Sequence, residues 1–135
     1  MPLSFWVKVY LLTVPLFFAV DMLWLGLMAR GFYQHHLQRF LAPQVNWGAA
    51  AVFYLLYIGG ILIFAVNPAL ASGGLARAAT LGALFGFFTY ATYDLTNLAT
   101  LDRWPLKVVF VDIAWGSFLC AVVAAGAYLI GSRLS

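Results

Sequence analysis

The amino-acid sequence predicts an all-α polytopic membrane protein: an antiparallel bundle of four transmembrane helices with a short interfacial helix after the first. The composition is 65% hydrophobic and only 8% charged, whereas soluble domains carry roughly 25% charged residues. Four apolar runs have about the 20 residues that a helix needs to cross the hydrocarbon core of a bilayer. No linker or low-complexity tract interrupts the chain, so residues 1–135 are expected to form a single domain.

The four spans are predicted at residues 5–28, 46–66, 78–101 and 107–131. The first continues past Asp21 without a cleavage site of small residues, which favours a retained helix over a signal peptide. The second is expected to end at Asn67-Pro68, and Ser72-Gly73-Gly74 predicts a tight turn before the third. Between the first two spans, residues 30–45 are more polar and predict an amphipathic segment across one mouth of the bundle.

The basic residues are scattered singly along the chain, and the net charge is only +3. This pattern lacks the basic stripe of a nucleic-acid-binding surface and fits contacts with lipid headgroups. Basic residues are nearly balanced between the two predicted sides, so they do not set the orientation. The single cysteine, Cys120, excludes an intrachain disulfide.

Three aspartates, Asp21, Asp94 and Asp112, interrupt the predicted spans. An ionisable residue inside a membrane span is costly, and it therefore marks a functional-site hypothesis. All three fall at a similar depth, roughly 8–10 Å below the face that carries the two polar loops. We predict that they form one coupled cluster.

Aromatic residues accompany these carboxylates at helical spacing. An Asp-x-x-Trp pair occurs in the first span and again in the fourth, which places carboxylate and indole on one face of each helix. The third span carries a polar stripe, and two tyrosines of the second span lie at nearly the same level. The predicted ligand-binding residues are Asp21, Trp24, Tyr54, Tyr57, Tyr90, Tyr93, Asp94, Asn97, Asp112 and Trp115.

Three ionised aspartates in a low dielectric need compensation, and several forms of it are open. They can bind protons, coordinate a hard cation, or accept hydrogen bonds from tyrosine and tryptophan. Asp21, Asp94 and Asp112 are therefore also the candidate metal ligands. Basic side chains reaching down from the loops are the other option, namely those of Arg30, Arg103 and Lys107. The competing interpretation is that each aspartate separately fixes helix packing.

Other residues support simpler interpretations. His35 and His36 point about 100° apart on a helix, which favours loop packing or lipid contact over a shared metal site. Four aromatic residues near predicted helix ends are interpreted as interfacial anchors: Trp6, Trp47, Trp104 and Tyr33. No phosphate-binding loop, nucleophile elbow or metalloprotease helix is present, so neither a cofactor nor a catalytic residue is predicted.

Six segments of the chain resemble a bacterial family of small membrane proteins, domain of unknown function number 2177. The most specific part is the Tyr-Asp-Leu-Thr-Asn stretch at residues 93–97, within the segment 90–100, and the resemblance spans nearly the whole chain. The other segments are residues 20–26, 53–57, 68–70, 104–106 and 111–116. This resemblance implies four membrane helices in a bacterial inner membrane. It supplies no activity.

Function is therefore predicted from the acidic and aromatic site. The leading hypothesis is binding of an amphiphile or lipid headgroup, as an accessory of envelope or lipid metabolism. The alternatives are a lipid-modifying enzyme with an aspartate acid or base, a structural subunit and a proton-coupled carrier. The predicted partners are the bilayer, a lipid or small amphiphile, and a second copy or another membrane subunit. Nucleic acid is excluded.

Overall fold

The computed structural model describes the backbone of residues 1–135 and every side chain except those of Ala29 and Arg30. All regular structure in the described residues is helical. The α-helices are α1 Leu3–Met28, α2 Gln34–Leu37, α3 Trp47–Ile61, α4 Asn67–Ala71, α5 Gly74–Thr100 and α6 Leu106–Leu134. Wider π-type turns, Ala29–Tyr33 and Leu62–Val66, precede α2 and α4, and a 3₁₀ turn, Gln38–Phe40, follows α2.

Three helical stretches are long and apolar enough to cross a membrane: Leu3–Met28, Trp47–Ala71 and Leu106–Leu134. They correspond to the first, second and fourth predicted spans. Helix α5 corresponds to the third, and its 27 residues extend over roughly 40 Å at about 1.5 Å per residue. It is long enough to cross but less apolar than the others, because Asp94, Asn97 and several threonines occupy its second half.

The predicted end of the second span at Asn67-Pro68 is wrong, because helix continues through these residues to Ala71. Proline lacks a backbone N–H, and its ring collides with the carbonyl four residues earlier in an ordinary α-helix. The Leu62–Val66 turn is wider than an α-helical turn, and the Asn67 N–H donates to the Leu62 carbonyl, five residues back. The helix thereby accommodates Pro68 in its next turn instead of ending there.

Helices α5 and α6 form the closest helix pair. Gly82 of α5 lies against the Cys120 backbone of α6, and Gly86 lies against the Gly116 backbone. As residue numbers rise along α5, those of its contacts fall along α6. Tyr90 then lies over Gly116, where a side chain would collide with its ring. Small residues at these positions let the two backbones approach, as expected for packed membrane helices.

The segment between α1 and α3 packs onto the start of α6. Its apolar side chains, among them Phe32, Leu37 and Phe40, contact a cluster formed by Trp104, Val108 and Val109. The residues predicted as one amphipathic segment are resolved into the short helix α2 and its flanking turns. The packed segment therefore covers one end of the helices and closes the side where the aspartates lie.

Candidate functional site

A cavity of about 200 Å³ lies between α1, the α2 segment, α3, α5 and α6. Seven of the ten predicted site residues line it: Asp21, Trp24, Tyr54, Tyr90, Tyr93, Asp112 and Trp115. Six residues outside that prediction complete its wall: Leu25, Tyr33, Leu37, Phe53, Trp104 and Val108. Two of the three aspartates that were predicted at similar depth, Asp21 and Asp112, therefore line the same cavity.

Asp112 is oriented by a chain of two hydrogen bonds. The Trp24 indole N–H donates to the Tyr33 hydroxyl oxygen over 3.0 Å, and the Tyr33 O–H donates to Asp112 Oδ1 over 3.0 Å. Burial, and then the neighbouring Asp112, raise the pKa of the Tyr33 phenol, which therefore stays protonated as the donor. The chain joins the end of α1, the α2 segment and α6 at one carboxylate.

Asp21 lies on another part of the wall and is almost fully buried. The Tyr54 O–H donates to Asp21 Oδ2 over 3.2 Å. The two tryptophans of the Asp-x-x-Trp pairs, Trp24 and Trp115, stack with their ring centroids 4.4 Å apart and their planes within 6°. The Trp115 indole nitrogen is buried and has no hydrogen-bond partner among the described residues. The repeated sequence pair thus brings both indoles together in the wall of the cavity.

Asp94 does not line the cavity but lies behind its wall. Its side chain is fully buried and faces Asp112 and Trp104. Neither carboxyl oxygen has a hydrogen-bond partner among the described residues, and the same holds for the buried Trp104 indole nitrogen. A buried polar group without a hydrogen-bond partner costs free energy, so these groups lower the stability of the folded protein.

Tyr57 lines a second cavity, of about 410 Å³, that lies next to the first. The two spaces share the wall residues Phe53, Tyr90, Tyr93 and Asp112. The Tyr57 hydroxyl lies 2.7 Å from Thr89 Oγ1 and 3.1 Å from Cys120 Sγ. Phe53 and Tyr93 are about half-exposed on the outer surface, so this second cavity reaches the side of the protein between α3 and α5.

Asn97 lines neither cavity, contrary to its place in the predicted site. It follows Asp94 by nearly one turn and lies half-buried beside Tyr93. Helical spacing gave its level and approximate face, but Tyr93 is the last residue of α5 that lines a cavity. Asn97 therefore lies beyond the cavity wall, near the end of α5.

Two aromatic residues interpreted as interfacial anchors belong to the site instead. Trp104 is only 6% exposed and packs between Phe40 and Tyr93, and Tyr33 donates to Asp112. Both residues precede helical segments, in stretches without a strong periodic pattern. Residue spacing therefore did not predict the direction of their side chains. The apolar spacing of Phe32, Leu37 and Phe40 was the available signal, because it predicts a packed face for this segment.

The three aspartates are not arranged as a set of metal ligands. No group of three or more His, Cys, Asp or Glu side chains in the described part of the chain is placed to hold a metal ion. Asp94 lies behind Asp112, while Asp21 is bound by Tyr54 on a different part of the wall. His35 and His36 line surface grooves that contain none of these aspartates.

The basic side chains of the loops make other contacts where they are described. Arg103 Nε lies 3.5 Å from Asp102 Oδ2, and Arg39 reaches the same oxygen at 3.4 Å. These pairs are exposed and add little stability. Neither Arg103 nor Lys107 lines the cavity. The predicted pairing of Arg30 with an aspartate lies outside the described side chains.

Replacing Tyr33 by phenylalanine is expected to lower the free energy of unfolding by about 1–3 kcal/mol, because Trp24 loses its acceptor and Asp112 loses its donor. Thermal unfolding in detergent, followed by tryptophan emission, measures the effect. Tyr128→Phe is the matched control, since no side-chain hydrogen bond of Tyr128 occurs among the described residues. Equal midpoints for the two variants would contradict the assigned hydrogen-bond chain.

Apolar helices of membrane-spanning length around a buried acidic and aromatic cavity define this chain as an integral membrane protein. The chain belongs to the family described as "Predicted membrane protein (DUF2177)", which matches residues 6–129. This match confirms the resemblance found in the sequence segments. No curated protein and no solved structure matches the chain.

Proposed function

We propose that α5 crosses the membrane together with the three more apolar stretches, so that the chain forms an antiparallel four-helix bundle in a bacterial inner membrane. The close contact of α5 with α6 supports this proposal. Gly82, Gly86 and Asp94 are buried in the protein, so the polar half of α5 is partly shielded from lipid. A helix that is packed inside a bundle needs less hydropathy than one surrounded by lipid.

Within this bundle, we propose that the 200 Å³ cavity binds the head group of an amphiphile. The observation that carries the proposal is a set of buried polar groups without partners beside a cavity. Trp104 and Trp115 line this cavity, their buried indole nitrogens have no hydrogen-bond partner among the described residues, and Asp94 lies behind the wall. A ligand with polar groups would satisfy the two N–H groups, which a purely structural core would leave unpaired.

The second cavity supports an amphiphile over a small polar molecule. It shares the wall residues Phe53, Tyr90, Tyr93 and Asp112 with the first, and its wall is mainly aromatic. It also reaches the outer surface between α3 and α5, where the bilayer would lie in the proposed bundle. A head group in the first cavity would therefore have an apolar exit for its chain toward the lipid.

A lipid-modifying enzyme is the second candidate, and the Asp94–Asp112 contact favours it. Two adjacent carboxyl groups are able to share a proton, and an acid–base catalyst needs such a group beside its substrate. Asp112, which also lines the cavity, would be the residue facing the substrate. Chemical change of a bound lipid during incubation would distinguish this activity from binding alone.

The test is thermal stability of the purified protein in detergent with a panel of lipids that differ only in head group. We expect stabilisation by some head groups, and its loss in Asp112→Asn, which keeps the shape of the side chain. Asp102→Asn is the control, because Asp102 is an exposed carboxylate that lines neither cavity. Uniform responses across all head groups would favour the structural-subunit alternative. Stabilisation by Mg²⁺ that EDTA reverses would favour a cation-dependent enzyme.

A further inference from the structure

The groups around the cavity indicate which head group fits it, and this inference rests on the proposed function. We propose that the ligand is a cationic amino alcohol, with an ammonium group near Asp21 and Asp112 and an oxygen acceptor beside it. Both carboxyl groups line the cavity, and no Lys or Arg among the described side chains does. Negative charge in a low-dielectric space is stabilised by a counter-charge, and a ligand ammonium would provide it.

The wall selects an organic cation over a metal ion. The rings of Phe53, Tyr54, Tyr90 and Tyr93 line the same cavity as the two carboxylates. Aromatic faces attract ammonium groups through their quadrupoles, and such rings are the usual wall of sites for organic cations. The described His, Cys, Asp and Glu side chains form no group of three that could hold a metal.

The indole groups favour a ligand with an acceptor as well as a charge. The Trp104 and Trp115 indoles lie beside the carboxyl groups of Asp94 and Asp21, but no hydrogen bond to them is formed. Trp104 is only 6% exposed, lines the cavity and has no acceptor for its N–H in the described residues. Trp115 also presents an unpaired indole N–H. An ammonium group cannot accept these hydrogen bonds. A hydroxyl or ester oxygen close to the nitrogen satisfies them, which defines the amino-alcohol pattern of sphingoid bases and of ethanolamine-headed phospholipids.

The experiment titrates sphinganine into the full-length protein in dodecyl maltoside micelles. A background with Trp6→Phe and Trp47→Phe leaves only the cavity tryptophans, because those two line no part of the cavity. N-acetylsphinganine keeps the chain and hydroxyls but lacks the charge, and stearylamine keeps the charge but lacks the oxygen. We expect a saturable change in tryptophan emission with sphinganine, about tenfold weaker binding of the acetylated probe and intermediate binding of stearylamine.

Two further arms separate the sources of this chemistry and test the assigned residue. Phosphatidylethanolamine is compared with sphinganine to show whether a membrane phospholipid or a single-chain base is preferred, and phosphatidylglycerol serves as the phospholipid without an amine. Binding of phosphatidylethanolamine or of sphinganine supports the proposal. Asp112→Asn should remove the preference for sphinganine over its acetylated form, while Asp102→Asn should keep it. If Asp112→Asn does not fold, Asp21→Asn tests the other wall in the same way.

The outcomes separate this inference from the function on which it rests. Equal binding of sphinganine and N-acetylsphinganine would overturn the cationic ligand while leaving amphiphile binding intact. Equal binding of stearylamine and sphinganine would overturn the role of the oxygen acceptor. Failure of every amphiphile in the set to bind would overturn both the inference and the proposed function.

Discussion

Replacing Gly86 by alanine is expected to lower the free energy of unfolding by about 2 kcal/mol and to loosen the α5–α6 pair. An added Cβ would collide with the Gly116 carbonyl and approach the Cys120 side chain. The obstacle is backbone, so no side-chain rotation relieves it. Separation of the two helices would also displace Tyr90, which packs over Gly116 as part of the cavity wall. Unfolding in a denaturing detergent titration measures the loss.

Gly59→Ala provides the matched control for this prediction. Gly59 also lies inside a helix, and an added Cβ would meet no other atom within 4 Å. Alanine has a higher helix propensity than glycine by up to about 1 kcal/mol, so this substitution should be neutral or stabilising. Gly86→Ala should therefore lower the free energy of unfolding, whereas Gly59→Ala should leave it unchanged or raise it. Similar stabilities for both would show that the glycine contacts do not determine the α5–α6 spacing.

The apolar runs predicted most of the fold, because the length of a membrane span is a strong physical constraint. The boundary at Pro68 was missed because the wider turn Leu62–Val66 accommodates the proline ring, so the helix continues. The start of α5 at Gly74 was also missed, by four residues. There the turn is formed by Gly73 and Gly74, both with positive φ, and the helix begins at once and includes Arg77.

The site was predicted only as far as helix geometry determines it. The spacing of Asp21–Trp24 and Asp112–Trp115 places each pair on one helix face, and the stacked indoles are consistent with that placement. Spacing gives the level of a residue more accurately than its direction, which explains why Asn97 lies outside the cavity. Residue spacing contains no information on how an irregular segment folds back over the helices. The contacts of Tyr33 and Trp104 depend on that path.

A substitution at Asp94 is expected to affect stability and binding in opposite directions. Asp94→Asn should raise the free energy of unfolding by about 1–2 kcal/mol, because the buried carboxyl has no hydrogen-bond partner and faces a second carboxyl. The asparagine amide has nearly the same size and can donate to Asp112. The amide hydrogen bond would thereby replace a contact that two carboxyl groups can make only by sharing a proton.

The same substitution should weaken binding of a cationic amphiphile by about tenfold. The new amide would occupy an acceptor position on Asp112 and remove one acidic group from behind the cavity wall, so the site would attract an ammonium group less strongly. Thermal unfolding and sphinganine titration of the same preparation measure both quantities. Asp102→Asn, which removes an exposed carboxylate held by Arg39 and Arg103, should change neither appreciably. Lower stability of Asp94→Asn with unchanged binding would show that Asp94 serves helix packing alone. Higher stability with weaker binding would indicate that its unpaired state is maintained for the ligand.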